Sequence, residues 1–384
     1  MNRLTQFNII VSSPLPRLHL YQATALLLLA VFSPPADAAD LEITETLQLP
    51  ECHSIGWVRA NAGVKNQQAW DGILDEAKWG TPSAGQAIER HWDWKLEDAQ
   101  WREAVKQKGE GKKEEVKFDL WLPENVGTVR GIVVISGHGS GETLYKHAEM
   151  RRIARELKLG LFKFIGNPMQ RGFWPRSLLD ERRQAFAAKS QHPELAHAPL
   201  FLYGHSNGTG FSAIYPATEG TRVWAWVSMR PGTTYQVYQP AAAQVPGLII
   251  FGEDDPFFAR PSKEENMAIV EAMRQKHHAL WHYVVEPKTG HGPGEKTWPL
   301  VFSFLRHSFT ARVPAGTHPA KLTDLKTQDG YLGQNWNPAK GGYQTLSIAP
   351  IADFTGDKST ASWLLNAAYA ADWQTFQREG QLAK

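Results

Sequence analysis

Between residues 115 and 312 the chain alternates between two patterns. Short apolar runs fall at 116–121, 130–136, 161–165, 200–203, 223–227, 247–251 and 280–285. Between them lie longer stretches in which apolar residues recur among charges, at 144–157, 178–189, 209–217, 261–276 and 298–309. The first kind reads as strands buried in a sheet, the second as helices with one apolar face. Strands alternating with helices predict an α/β fold, with a mostly parallel sheet covered by helices on both faces. The helix over 261–276 is expected to begin on Pro261, since proline suits a first helical position.

The flanks break this rhythm. Residues 39–114 are polar and rich in tryptophan, with Trp57, Trp70, Trp79, Trp92, Trp94 and Trp101, and are expected to pack on the core. At their C-terminal end, 106–117 reads as a charged, solvated turn between two strands. Residues 313–384 are rich in Gly, Pro, Asn and Thr, with an apolar run at 345–351 and a predicted helix over 359–377. They are expected to form an extension packed against the core, with a separate small domain as the alternative. No internal repeat is evident.

The first 38 residues read as a leader rather than as fold. Arg3 and Arg17 precede an apolar stretch, 23–32, and then a small-x-small site, Ala36-Asp37-Ala38. Cleavage after Ala38 and export to the periplasm or medium are expected. The apolar stretch is too short for a permanent membrane anchor. A net charge of +2 gives no electrostatic case for nucleic acid. Cys52 is the single cysteine, so an intramolecular disulfide is excluded.

The chemistry concentrates at Gly204-His205-Ser206-Asn207-Gly208. A strand precedes it and a helix follows, the context of a nucleophile elbow. A serine hydroxyl is a weak nucleophile at neutral pH. It needs a base for its proton, and the base needs an acid to fix its tautomer. Carboxylates follow the run 247–251, at Glu253, Asp254 and Asp255, and a histidine follows 280–285, at His291 between two glycines. Both loops leave the same edge of the predicted sheet as Ser206. His277, His278 and His282 are weaker bases by position, at a helix end or inside a strand.

Taken together, residues 115–310 resemble the α/β-hydrolases, the serine esterase and lipase superfamily. The resemblance implies Ser206 as nucleophile, His291 as base and, from a Gly-x-x-Asp register, Asp255 as the acid ahead of Asp254 and Glu253. The run Gly137-His138-Gly139-Ser140-Gly141 resembles the family's His-Gly-Gly-Gly loop, with serine in place of one glycine. It implies an oxyanion hole from the backbone N–H of Gly139 or Ser140, together with Asn207. Arg171, Trp174 and Arg230 leave strand ends and are expected to border the substrate pocket.

No phosphate-binding loop or zinc signature is present, since His192 to His197 has the wrong order and carries Pro193, so no cofactor or metal is expected. The sequence leaves the oligomeric state open. The reading is an exported serine hydrolase of small-molecule or polymer-borne carboxylic esters, such as esterified polysaccharide or polyester fragments. The alternatives are a serine peptidase of the same fold and a catalytically silent binding protein on the same scaffold.

Overall fold

The computed structural model describes residues 39–50, 113–166, 176–231, 240–259, 262–316 and 321–382. The leader, Cys52, the tryptophans of the N-terminal flank, Arg171 and Trp174 lie outside the described residues. A sheet of eight strands forms the centre: β1 (Leu41–Pro50), β2 (Lys113–Leu122), β3 (Gly131–Ser136), β4 (Leu159–Ile165), β5 (Leu200–Ser206), β6 (Val223–Pro231), β7 (Gly247–Gly252) and β8 (Trp281–Glu286). Their order is β1-β2-β4-β3-β5-β6-β7-β8. The strands from β3 to β8 are mutually parallel, whereas β1 and β2 pair antiparallel to each other and β2 is antiparallel to β4. The strands β3, β6, β7 and β8 are buried along their whole length, which is why they appear in sequence as mainly apolar runs.

Seven helices accompany the sheet among the described residues: α1 (Gly141–Lys146), α2 (Ala148–Leu157), α3 (Arg176–Ser190), α4 (Thr209–Glu219), α5 (Lys263–His277), α6 (Thr297–Arg312) and α7 (Ala367–Glu379). Alternation along the strands sorts them into two layers. Phe162 and Phe164, two apart in β4, meet Phe186 of α3 and Phe211 of α4 on one face. On the other face Phe201 of β5 and His282 of β8 meet Phe304 of α6. Beyond α6, the strands β9 (Tyr331–Gly333), β10 (Ile348–Pro350) and β11 (Ser362–Leu364) form a small antiparallel sheet, ordered β10-β9-β11. This segment is bonded to the central sheet: the indole N–H of Trp373 in α7 donates to the Tyr283 carbonyl of β8 at 3.0 Å.

Several boundaries differ from the sequence reading, each for a local reason. The helix expected over 144–157 is two helices, because His147 adopts an extended conformation (φ −64°, ψ 123°) and its Nδ1 accepts the Glu149 N–H. The helix α5 starts at Lys263 and is capped by Ser262, whose Oγ accepts the Glu265 N–H at 3.1 Å, and Pro261 lies outside the described residues. The helix expected from residue 359 starts at Ala367. Residues 362–364 pair with β9 instead, and the Asn366 side chain accepts the Tyr369 N–H as the true N-cap. The strand β1 lies in the N-terminal flank, at residues where the sequence reading placed no strand.

Candidate active site

The parallel strands all end at one edge, and the site is built there. The connection from β3 to β4 runs one way along the sheet, and β5 continues on the other side of β3. At such a reversal the helices that follow β3 and β5 leave to opposite faces, and a crevice opens between the two strand ends. The loop 137–140 lies on one side of that crevice and Ser206 on the other.

Ser206 is the last residue of β5, and α4 begins three positions later. The reversal places Ser206 at φ 54°, in the left-handed region. A non-glycine residue there costs about 1–2 kcal/mol, held in place by the surrounding strand and helix. The turn is tight enough that a Cβ on Gly204 would sit 2.1 Å from the Gly208 carbonyl oxygen. The Thr209 hydroxyl donates to the Ser206 carbonyl at 2.6 Å and ties the helix start to the turn.

The three polar residues implied by the resemblance converge. Ser206 Oγ is 2.7 Å from His291 Nε2, and His291 Nδ1 is 2.9 Å from Asp255 Oδ2. The other Asp255 oxygen accepts the Phe257 N–H at 2.9 Å, and the whole residue is 2% exposed. With both carboxylate oxygens engaged, Asp255 fixes the imidazole with its proton on Nδ1 and its Nε2 lone pair toward the serine. The rival carboxylates are placed elsewhere. Glu253 Oε1 accepts the Gly342 N–H at 2.9 Å, and Asp254 is exposed, with its N–H on the Thr289 carbonyl. Among the rival histidines, His277 ends α5, His278 is its left-handed C-cap, and His282 is buried with Nε2 2.6 Å from the Tyr369 hydroxyl.

Arg230 corrects one expectation. It is fully buried at the end of β6, so it does not line a pocket. Its guanidinium pairs with Glu286 and donates to the Gly290 carbonyl and the Thr289 hydroxyl, each at 3.2 Å. Burial draws its pKa below the ordinary arginine range, and the Glu286 carboxylate opposes that pull. The Arg–Glu pair thus clamps the turn just before His291. Buried pairs of this kind are costly to break on one side only.

Ser140 corrects a second. Its N–H is spent on His205 Nδ1 at 2.8 Å, and its hydroxyl lies 2.6 Å from the Tyr203 hydroxyl. It therefore serves as a joint in the loop and not as a free donor. Gly139, exposed and at φ 58°, and Asn207, half-buried, remain on the open side. The sequence reading also passed over His205 and Phe257. His205 fills a variable position of Gly-x-Ser-x-Gly, so its type carried no signal. Phe257 is 42% exposed, with its ring centroid 4.6 Å from that of His291.

The chain has the α/β-hydrolase fold. The sheet order, the elbow at the end of β5 and the chain order Ser206, Asp255, His291 are those expected of that fold. No family model matches the sequence, and no curated protein matches it either. Solved structures similar to this chain include a poly(3-hydroxybutyrate) depolymerase from Bordetella parapertussis, at 17% identity over 53% of this chain and 88% of that one, with a TM-score of 0.37. An S-formylglutathione hydrolase from Agrobacterium tumefaciens is similar at 13% identity over 51% and 88%, with a TM-score of 0.38. A ferulic acid esterase is similar at 12% identity over 70% and 96%, with a TM-score of 0.38.

Proposed function

We propose that this α/β-hydrolase is an exported serine hydrolase that cleaves carboxylic esters through an acyl-enzyme. The supporting observation is the hydrogen-bonded line from Ser206 Oγ through the His291 ring to a buried Asp255. Ser206 Oγ attacks the ester carbonyl while His291 Nε2 takes its proton. The imidazolium is stabilised by Asp255 and returns the proton to the departing alcohol. Water, deprotonated by His291 in turn, releases the acid and restores the serine. The backbone N–H groups of Gly139 and Asn207 face the developing oxyanion. Phe257 offers an apolar surface beside His291 for the acyl or alcohol portion. The leader, with Ala36-Asp37-Ala38, supports export, and the proposed substrates are small-molecule or polymer-borne esters.

Turnover of p-nitrophenyl esters and of aminoacyl p-nitroanilides by the wild-type protein and Ser206→Ala tests this. Ester turnover that falls by about 10⁴-fold or more in the variant is expected, with anilides turned over poorly. Anilide turnover above ester turnover would make the protein a peptidase. Ester turnover unchanged in Ser206→Ala would end the mechanism.

A further inference from the structure

The histidine beside the candidate nucleophile has no part in the scheme above, yet it is enclosed at 5% exposure. Its Nδ1 accepts the Ser140 N–H at 2.8 Å. Its Nε2 lies 2.8 Å from the His291 carbonyl oxygen. A carbonyl only accepts, so Nε2 must carry the proton, and a backbone N–H only donates, so Nδ1 must not. One neutral tautomer meets both demands, and each fixes the other. Burial pushes the pKa of the ring down to about 4, so this tautomer holds at neutral pH.

The bonds connect two loops that are otherwise far apart in sequence, one after β3 and one after β8. Both are tied to a ring on the strand that carries Ser206. The loop after β3 is shaped to receive that ring. Gly139 lies at φ 58°, and a Cβ there would come within 2.2 Å of His205 Nδ1. Fixing the Ser140 N–H orients the turn that presents Gly139. Fixing the His291 carbonyl orients the residue whose ring stands between Ser206 and Asp255.

We propose that His205 is a positioning residue, a cross-brace that holds the Gly139–Ser140 turn and the His291 backbone at one spacing around Ser206 Oγ. The proposal rests on the Ser206-His291-Asp255 reading given above. Displacement of reacting groups by about 1 Å costs on the order of 100-fold in rate, so a brace of this kind acts on kcat rather than on substrate binding.

Two half-braces and one null separate the contributions. His205→Asn keeps an acceptor near Nδ1 but does not reach the His291 carbonyl. His205→Gln reaches that carbonyl but leaves the Ser140 N–H without its acceptor. His205→Phe keeps the shape and neither bond. On short p-nitrophenyl esters each half-brace is expected to lose roughly 10- to 100-fold in kcat with KM within about threefold, and the Phe variant to lose at least as much. The rate of fluorophosphonate labelling should fall in parallel. A second readout needs no turnover: ring ¹⁵N spectra of Ser206→Ala should show His205 as the neutral Nε2–H tautomer from pH 6 to 8. An imidazolium or an Nδ1–H tautomer would overturn the brace, as would a folded His205→Phe variant with wild-type kcat. If the wild-type protein neither turns over esters nor labels, the hydrolase reading falls instead.

Discussion

At the carboxyl edge of the sheet, Ser206, Asp255 and His291 are set by single directional bonds of 2.7 to 2.9 Å. Behind β8, the segment that ends in α7 is held mainly by area. Tyr369, Ala370, Trp373 and Phe376 are all fully buried there, and Trp363 of β11 nearly so. The first region depends on where individual atoms point, and the second on how much apolar surface leaves water. A change of one atom type therefore has opposite consequences in the two. At the edge it alters chemistry with little effect on stability. In the packed segment it alters stability with little effect on chemistry.

Asp255→Asn breaks the comparison hardest. The isosteric amide keeps the packing but no longer enforces the Nδ1–H tautomer of His291. We expect kcat on esters to fall by about 10³- to 10⁴-fold, with the thermal midpoint moved by only a few degrees. A variant that instead melts far below the wild type would show that the edge is held by more than direction.

Trp373→Ala is the mirror experiment. The indole is fully buried and donates to Tyr283, so truncation should cost about 3–5 kcal/mol in denaturant unfolding. Turnover per folded molecule should stay within about twofold. Loss of turnover in the folded variant would couple the C-terminal segment to the site. The Gly342 N–H on Glu253, in the loop that carries Asp255, is the contact through which it would act.

The pH dependence of stability sharpens the comparison by reaching into both regions. Burial lowers the pKa of His205 to about 4 and that of His282 to about 3, from an unfolded value of 6.5. Above pH 6.5 both rings are neutral in the folded and unfolded chain, and their full contribution is present. Below it the unfolded chain takes up protons that the folded chain excludes. Stability should therefore fall as pH drops from 6.5 toward 4 for His205 and toward 3 for His282, by about 1.4 kcal/mol per pH unit for each ring. Thermal midpoints across pH 4 to 8 check this. A flat profile below pH 6.5 would mean that neither ring is held neutral.

What the sequence made legible follows the same division. Strands buried on both faces are mainly apolar runs, and the elbow is a fixed spacing of glycines around a serine, so the core and the three converging residues were readable. Arg230 and Ser140 were misread because burial and hydrogen-bond partners are set by chain segments far away. Glu286 is 56 positions from Arg230, and His205 is 65 positions from Ser140. The strand β1 was missed although Leu41, Ile43 and Leu47 alternate with polar residues, because its partner β2 lies far along the chain. The helix predicted from residue 359 was displaced for the same kind of reason, with pairing to β9 overriding local pattern.

The central claim is that Ser206 is an activated nucleophile. Fluorophosphonate labelling of the wild-type protein beside Ser206→Ala, with peptide mapping of the adduct, tests it most directly. The account predicts a single adduct on the peptide carrying Ser206, absent from the variant. A folded wild-type protein that stays unlabelled, or an adduct at another residue that persists in Ser206→Ala, would contradict it.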